Sequence, residues 1–194
     1  MRVYFIRHGQ SEANFTKVHS GWAQVNLTEL GISQAKEVGE YLKDISFDKV
    51  YSSDLIRAMQ TAENALPGCV YETDPLLRER CVGEVAGKNK EQCYLEYGEV
   101  YLRSRETLDY TPFGGENEEM LHGRAEQFMQ KLGKCNYKNV AVFMHEGFLR
   151  NVLGVVMGVE LPVGKIILSN CTIAIMEYID GVWKLVSLNP MFEK

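Results

Sequence analysis

The sequence predicts an α/β fold: a doubly wound, mostly parallel sheet flanked by helices, with a small inserted lobe near residues 80–115. Three observations point to it. Apolar, β-rich runs at residues 2–7 and 140–144 do not alternate with polar residues, as expected of strands buried on both faces of a parallel sheet. Segments with helical spacing of apolar residues lie between such runs, the order of a chain built from βαβ units. From about residue 80 to 115, glycines and a proline interrupt both patterns and set that stretch apart as an insertion.

Val3-Tyr4-Phe5-Ile6 makes the body of the first strand, whose carboxyl end points at His8. Thr28 is placed to cap a helix with Glu29 in its first turn and Leu30, Ala35, Val38 and Leu42 as an apolar stripe to about Lys43. Phe47 to Tyr51 gives the second strand. Ser53 or Asp54 then caps a helix through Leu55, Ala58, Met59 and Ala62 that Pro67 stops, with Arg57 in its first turn. A third short strand is expected from Cys69 to Glu72, and Leu76 to Lys90 reads as loop. Glu91 to Glu106 predicts a helix with Tyr94, Leu95, Tyr101 and Leu102 turned inward, interrupted at Gly98 and ended by Pro112 and Gly114-Gly115. Glu116 or Asn117 opens the next helix, with Met120, Leu121, Ala125, Phe128, Met129 and Leu132 on its apolar side. Val140 to Met144 is a further buried strand that ends at His145. Gly147 to Met157 reads as a helix, and Ile173 to Tyr178 with Val182 to Leu188 forms a hairpin about Asp180-Gly181. Ligands of such sheets bind at the carboxyl ends of the parallel strands, where His8 and His145 both fall.

Composition narrows the classes of function. The 194 residues suit a single domain over 1–194 and therefore one active site. No apolar run approaches the roughly 18 residues of a membrane span, and the N-terminus has no signal-peptide layout, so a cytoplasmic protein away from membranes is expected. Cys69, Cys81, Cys93, Cys135 and Cys171 are odd in number, far apart and without a Cys-x-x-Cys pair. They are expected to be reduced thiols rather than a disulfide framework or a zinc knuckle. A formal net charge of -5 argues against nucleic acid, so a bound anion needs a local positive field. Nothing in the sequence specifies an oligomeric state.

Such a field is suggested where the first strand ends. Gly9 allows the backbone to approach an anion, Arg7 supplies charge, and Ser11 and Asn14 carry hydrogen-bond donors, so this loop suits a phosphate. One histidine beside a strand is more often structural than catalytic, and the surroundings have to decide. Arg7-His8-Gly9-Gln10-Ser11 with Asn14 resembles the opening signature of the histidine phosphatase, or phosphoglycerate mutase-like, superfamily. The similarity continues in order through Asn26-Leu27-Thr28-Glu29-Leu30-Gly31 and Ser52-Ser53-Asp54-Leu55-Ile56-Arg57-Ala58-Met59-Gln60-Thr61-Ala62. Leu77-Arg78-Glu79-Arg80, Gly115-Glu116-Asn117 and His145-Glu146-Gly147 complete it, so it covers nearly the whole chain.

The resemblance implies a role for each of these residues. Unprotonated His8 attacks phosphorus and becomes a phosphohistidine, while Arg7, Arg57 and His145 hold the equatorial oxygens and Asn14 adds a neutral donor. Glu79 protonates the leaving alkoxide and later takes a proton from the hydrolytic water. Phosphoryl transfer depends mainly on positioning and charge, and arginine's planar fork suits phosphate. Without the resemblance, Arg57 reads as a solvated helix residue and Glu79 as a surface partner of Arg78 or Arg80. Yet a cation in a helix's first turn is unfavourable unless an anion lies nearby. His19 and His122 have no counterpart in the signature and read as surface or structural. No spacing among the four histidines resembles a metal site, and the implied mechanism needs neither metal nor cofactor.

The chain departs from the pattern at two positions of the phosphate-binding set. Gln10 stands where the family commonly has glutamate, and Glu146 where it has glycine. Glu146 brings a carboxylate to a place where a backbone amide typically faces the phosphate, and it is expected to point away, or to meet an arginine or a cationic part of the substrate. Glu79-Arg80-Cys81-Val82-Gly83 with Gly87, Asn89-Lys90, Tyr97-Gly98 and Gly21-Trp22 also resembles the cofactor-dependent phosphoglycerate mutases. Against that, the tyrosine those enzymes carry three residues after the glutamate is Val82, and Arg103 and Arg105 do not reproduce their adjacent arginine pair. The reading is therefore a metal-independent phosphatase acting on a small phosphorylated metabolite. A 2,3-bisphosphoglycerate-dependent phosphoglycerate mutase is the alternative, and a non-catalytic phosphate-ligand-binding module, hinted at by Glu146 alone, is the second. Lys90, with Lys88, Arg103 and Arg105, is a candidate contact for a second acidic group on the substrate, against the ordinary role of solvated charge.

Overall fold

The computed structural model describes residues 1–159 and 166–192. Its centre is a six-stranded sheet of β1 (Arg2–Arg7), β2 (Lys49–Ser52), β3 (Glu72–Thr73), β4 (Asn139–Met144), β5 (Ile173–Ile179) and β6 (Val182–Asn189), in the order β3-β2-β4-β1-β5-β6. The first four strands of that order run parallel, and β5 and β6 are antiparallel additions at one side. The helices are α1 (Glu12–Thr16), α2 (Glu29–Leu42), α3 (Ile56–Ala65), α4 (Lys90–Thr107), α5 (Glu118–Gly133) and α6 (Glu146–Met157).

The lack of alternation in β1 and β4 has its expected cause. Val3 and Phe5 pack with Val140, Val142 and Met144 under Phe128 and Phe148 of α5 and α6, whereas Tyr4 and Ile6 pack with Ala141 and Phe143 under Val38 of α2 and Ala62 of α3. Each strand is therefore apolar on both faces. Thr28 caps α2 by accepting from Gly31 N, and Asn117 caps α5 by accepting from Met120 N. Among the described residues no helix is long and apolar enough to cross a membrane, and all five cysteines are free.

Several local expectations change. The loop after His8 contains the short helix α1, held by a capping box in which Ser11 Oγ accepts from Asn14 N and Asn14 Oδ1 accepts from Ser11 N. Neither Ser53 nor Asp54 caps α3: Leu55 occupies the cap position, Gln24 Oε1 accepts from Ile56 N at 2.8 Å, and Asp54 pairs with Arg78. β3 begins three residues later than expected and spans Glu72–Thr73. The stretch read as loop holds two short 3-10 turns, Pro75–Leu77 and Gly83–Val85. Leu30 and Met120 are exposed rather than inward.

The largest local difference lies in α4. Gly98 adopts φ 55° and ψ -131°, a conformation that favours glycine, and it turns the two halves of the helix out of phase. Tyr94 and Leu95 are therefore exposed, while Cys93 and Tyr101 point inward. With Val82, Val85, Tyr110 and Phe113 they build a small core separate from the two beneath the sheet.

Candidate active site

Sheet order brings the two histidines together. β1 and β4 are parallel neighbours with Arg7 paired to Met144, so the next residue of each strand, His8 and His145, emerges at the same edge. Their ring centroids are 5.1 Å apart, and both side chains are buried. Arg57, from the first turn of α3, is fully buried beside them and donates from its two Nη atoms to the carbonyls of Ala23 and Gly21.

Hydrogen bonding fixes the tautomer of His8. Nδ1 lies 2.7 Å from the Gly9 carbonyl, which only accepts, so Nδ1 carries the proton and Nε2 keeps its lone pair. Burial, and then the charges of Arg57 and Arg7, hold the His8 pKa well below 6.5, so the ring is neutral at pH 7. His145 is held neutral by burial and by Arg57. Its Nε2 lies 2.9 Å from Ser53 Oγ, which already accepts from Leu55 N. The arrangement that satisfies all three groups has the Ser53 hydroxyl donating to Nε2, which places the His145 proton on Nδ1. That nitrogen, Arg7 Nε and Arg57 Nε are buried without a hydrogen-bond partner among the described residues. Unmatched buried donors are costly, and an anion beside His8 supplies acceptors to the cluster.

Two buried neutral histidines also make the fold acid-sensitive. Their folded pKa values lie below 6.5 and the unfolded chain keeps the ordinary value, so stability is full above about pH 6.5 and falls as the unfolded state gains protons below it. Between pH 7.5 and 5.5 each ring is therefore expected to lower the stability of the fold. Urea unfolding at the two pH values should show a smaller loss in His8→Asn than in the wild type. Equal losses would contradict the assignment.

Glu79 is close enough for its charge to act on both Arg7 and Arg57. Its carboxylate accepts from Arg80 N at 2.7 Å and from Gly147 N, the second amide of α6, at 3.1 Å. A Cβ on Gly147 would lie 2.2 Å from Glu79 Oε1, so this approach requires glycine. Arg78 pairs with Asp54 and Arg80 with Glu118, which leaves Glu79 free of both neighbouring side chains. Glu79, Glu146, Arg150, His19 and Tyr110 line a cavity of about 280 Å³. Among the described residues, no group of three or more His, Cys, Asp or Glu side chains is placed to hold a metal ion.

The chain is similar to known proteins. The sequence pattern of the Histidine phosphatase superfamily (branch 1) matches residues 3–190. The chain belongs to that superfamily. A 2,3-bisphosphoglycerate-dependent phosphoglycerate mutase of Nitrobacter hamburgensis is 37% identical over 142 residues, 69% of this chain and 69% of that protein. A broad-specificity phosphatase of Saccharomyces cerevisiae is 30% identical over 92% of this chain and 80% of its own length. The alpha-ribazole phosphatase of Shigella flexneri has the same fold, with a TM-score of 0.89 at 28% identity over 97% of this chain and 96% of that one.

In this member of the superfamily the loop after His8 is used differently from the expectation of a phosphate cradle. Gly9 N donates to Thr61 Oγ1 and Gln10 N to Gln34 Oε1, while Ser11 is engaged with Asn14. Gln10 Oε1 accepts from Thr28 Oγ1. The backbone that Gly9 approaches is that of α2: a Cβ at Gly9 would lie 2.4 Å from the Gly31 carbonyl oxygen. Gly9→Ala is expected to cost about 2 kcal/mol and lower Tm by roughly 6 °C, measured by calorimetry. An unchanged Tm would show that the contact yields freely. Asn14 Oδ1 also accepts from Asn170 Nδ2, which itself holds the His8 carbonyl. Lys90 is exposed at the start of α4 and does not line the cavity, and Arg103 and Arg105 line a separate surface groove.

Other residues enter the site without a sequence signal. His19, read as surface or structural, lies on the cavity wall with Nε2 2.7 Å from Tyr101 Oη. Ser53, Thr61 and Asn170 brace the two histidines through contacts between distant segments. Arg150 did carry a signal, being four residues after Glu146 on one helix. Glu146 meets Arg150 and Arg7, so of the expected alternatives the carboxylate takes the arginine.

Proposed function

We propose that this protein is a metal-independent phosphatase of the cytoplasm, which hydrolyses small phosphorylated metabolites through a phosphohistidine on His8. The observation that carries the reading is the neutral His8 with its Nε2 lone pair free, set beside His145 between two buried arginines. Nε2 attacks phosphorus in line, Arg7 and Arg57 balance the equatorial charge, neutral His145 donates a hydrogen bond to an equatorial oxygen, and Glu79 protonates the departing alkoxide. Water then displaces the phosphoryl group from His8, with Glu79 as its base. Hydrolysis rather than transfer is favoured by the positions of Arg103 and Arg105, which lie outside the cavity and offer no paired cations to a substrate carboxylate.

Phosphoglycerate mutase is the second reading, favoured by the likeness to the Nitrobacter enzyme. Phosphate release from a panel of phosphate monoesters, run with a chelator present, tests the proposal together with rapid-quench trapping of an acid-labile phosphoenzyme. Release that persists with chelator, and a trapped phosphohistidine, are expected. Fast interconversion of the two monophosphoglycerates, stimulated by bisphosphoglycerate, would favour the mutase. Tight ligand binding with no turnover across the panel would favour a non-catalytic module.

A further inference from the structure

The site already holds an anion of its own. Glu146 is the first residue of α6, and its Oε2 lies 3.0 Å from Arg7 Nη1 while its Oε1 accepts a hydrogen bond from Arg150 Nη2. Arg150 is anchored in turn, its Nε donating to the Ile166 carbonyl at 2.6 Å. The Arg7 side chain is 7% exposed, so solvent screens this ion pair only weakly. A carboxylate so placed has two available roles: to hold Arg7 in position, or to compete with phosphate for it. Arg7 has other restraints, because the same Nη1 donates to the Leu168 carbonyl and its backbone N donates to Thr172. Glu146 is shared between two cations, so it can give up one and keep the other.

We infer that Glu146 is a resident counter-anion that competes with the phosphoryl group for Arg7, moves onto Arg150 when phosphate enters, and thereby weakens the hold of the site on phosphate, product included. The inference rests on the reading of the His8 cluster as a phosphate centre. Substrate and inorganic phosphate both carry the charge that a nearby carboxylate opposes, so its effect falls on binding as a whole. Without it, Arg7 and Arg57 would retain the product they help to form.

The test compares inorganic phosphate affinity, by calorimetry and as a product-inhibition constant, in the wild type, Glu146→Gln, Glu146→Gly and Arg150→Gln. Both Glu146 variants should bind phosphate about tenfold more tightly or better, with KM falling in parallel and kcat/KM rising. Arg150→Gln, which leaves Glu146 to Arg7 alone, should weaken phosphate binding roughly threefold or more. Phosphate affinity that is unchanged or weaker in the Glu146 variants, with a fall in kcat/KM, would overturn the inference and make Glu146 the residue that positions Arg7. Absence of phosphate binding in every protein, wild type included, would instead reject the phosphate-centre reading on which it rests.

Discussion

Replacing His8 with alanine is expected to lower turnover of every phosphate monoester by at least about 10⁴-fold, because no other group can accept the phosphoryl group in line. His145 is not a substitute. Its Nε2 is engaged with the Ser53 hydroxyl, and its ring is fully buried. The same variant should still bind inorganic phosphate, since Arg7 and Arg57 remain and the deleted ring was neutral. Steady-state rates with calorimetric phosphate affinity separate the two effects. Undiminished hydrolysis in His8→Ala would remove the phosphohistidine mechanism altogether.

Glu79→Gln should show a different pattern, one that depends on the leaving group. For an alkyl phosphate, loss of the acid is expected to cost about 10²–10⁴-fold, the usual range for general catalysis. For an aryl phosphate, whose phenolate leaves unaided, phosphorylation of His8 should stay fast while water attack slows. The result would be a burst of one phenolate per active site followed by slow turnover. The substitution also turns an amide NH2 toward one of the two amides that the carboxylate now accepts from, Arg80 N and Gly147 N. A modest loss of stability is therefore expected as well, and Tm must be measured alongside the burst. Equal losses with alkyl and aryl substrates would assign Glu79 a structural role.

The parts of the molecule legible in the sequence are those fixed by local pattern. β1 and β4 stand out because both faces are covered, and α2 and α5 because a side-chain oxygen at Thr28 or Asn117 opens each apolar period. The illegible parts depend on contacts between distant segments. Gln24 supplies the cap that Ser53 and Asp54 seemed placed to give, and Gly31 explains Gly9. His19 reaches the cavity because its segment is tied to the start of the lobe through a Val18–Asn89 bridge and a bond from its backbone N to the Lys88 carbonyl. In α4 the helical period was visible, but the turn at Gly98 put Tyr94 and Leu95 on the wrong side. Of the site, the residue types were readable from the resemblance, whereas the His8 tautomer and the sharing of Glu146 between Arg7 and Arg150 required coordinates.

The pairing of Val3 with Val140 has a consequence for how the protein comes into being. During synthesis, β1 emerges first and has neither of its final neighbours until β4 and then β5 follow, so it waits as an unpaired apolar strand while most of the chain is made. Parallel pairing across so long a loop is slow to nucleate. The His8–His145 pair therefore does not exist in any nascent chain that ends before β4, and a ribosome-bound fragment of that length exposes a strand that chaperones would be expected to shield.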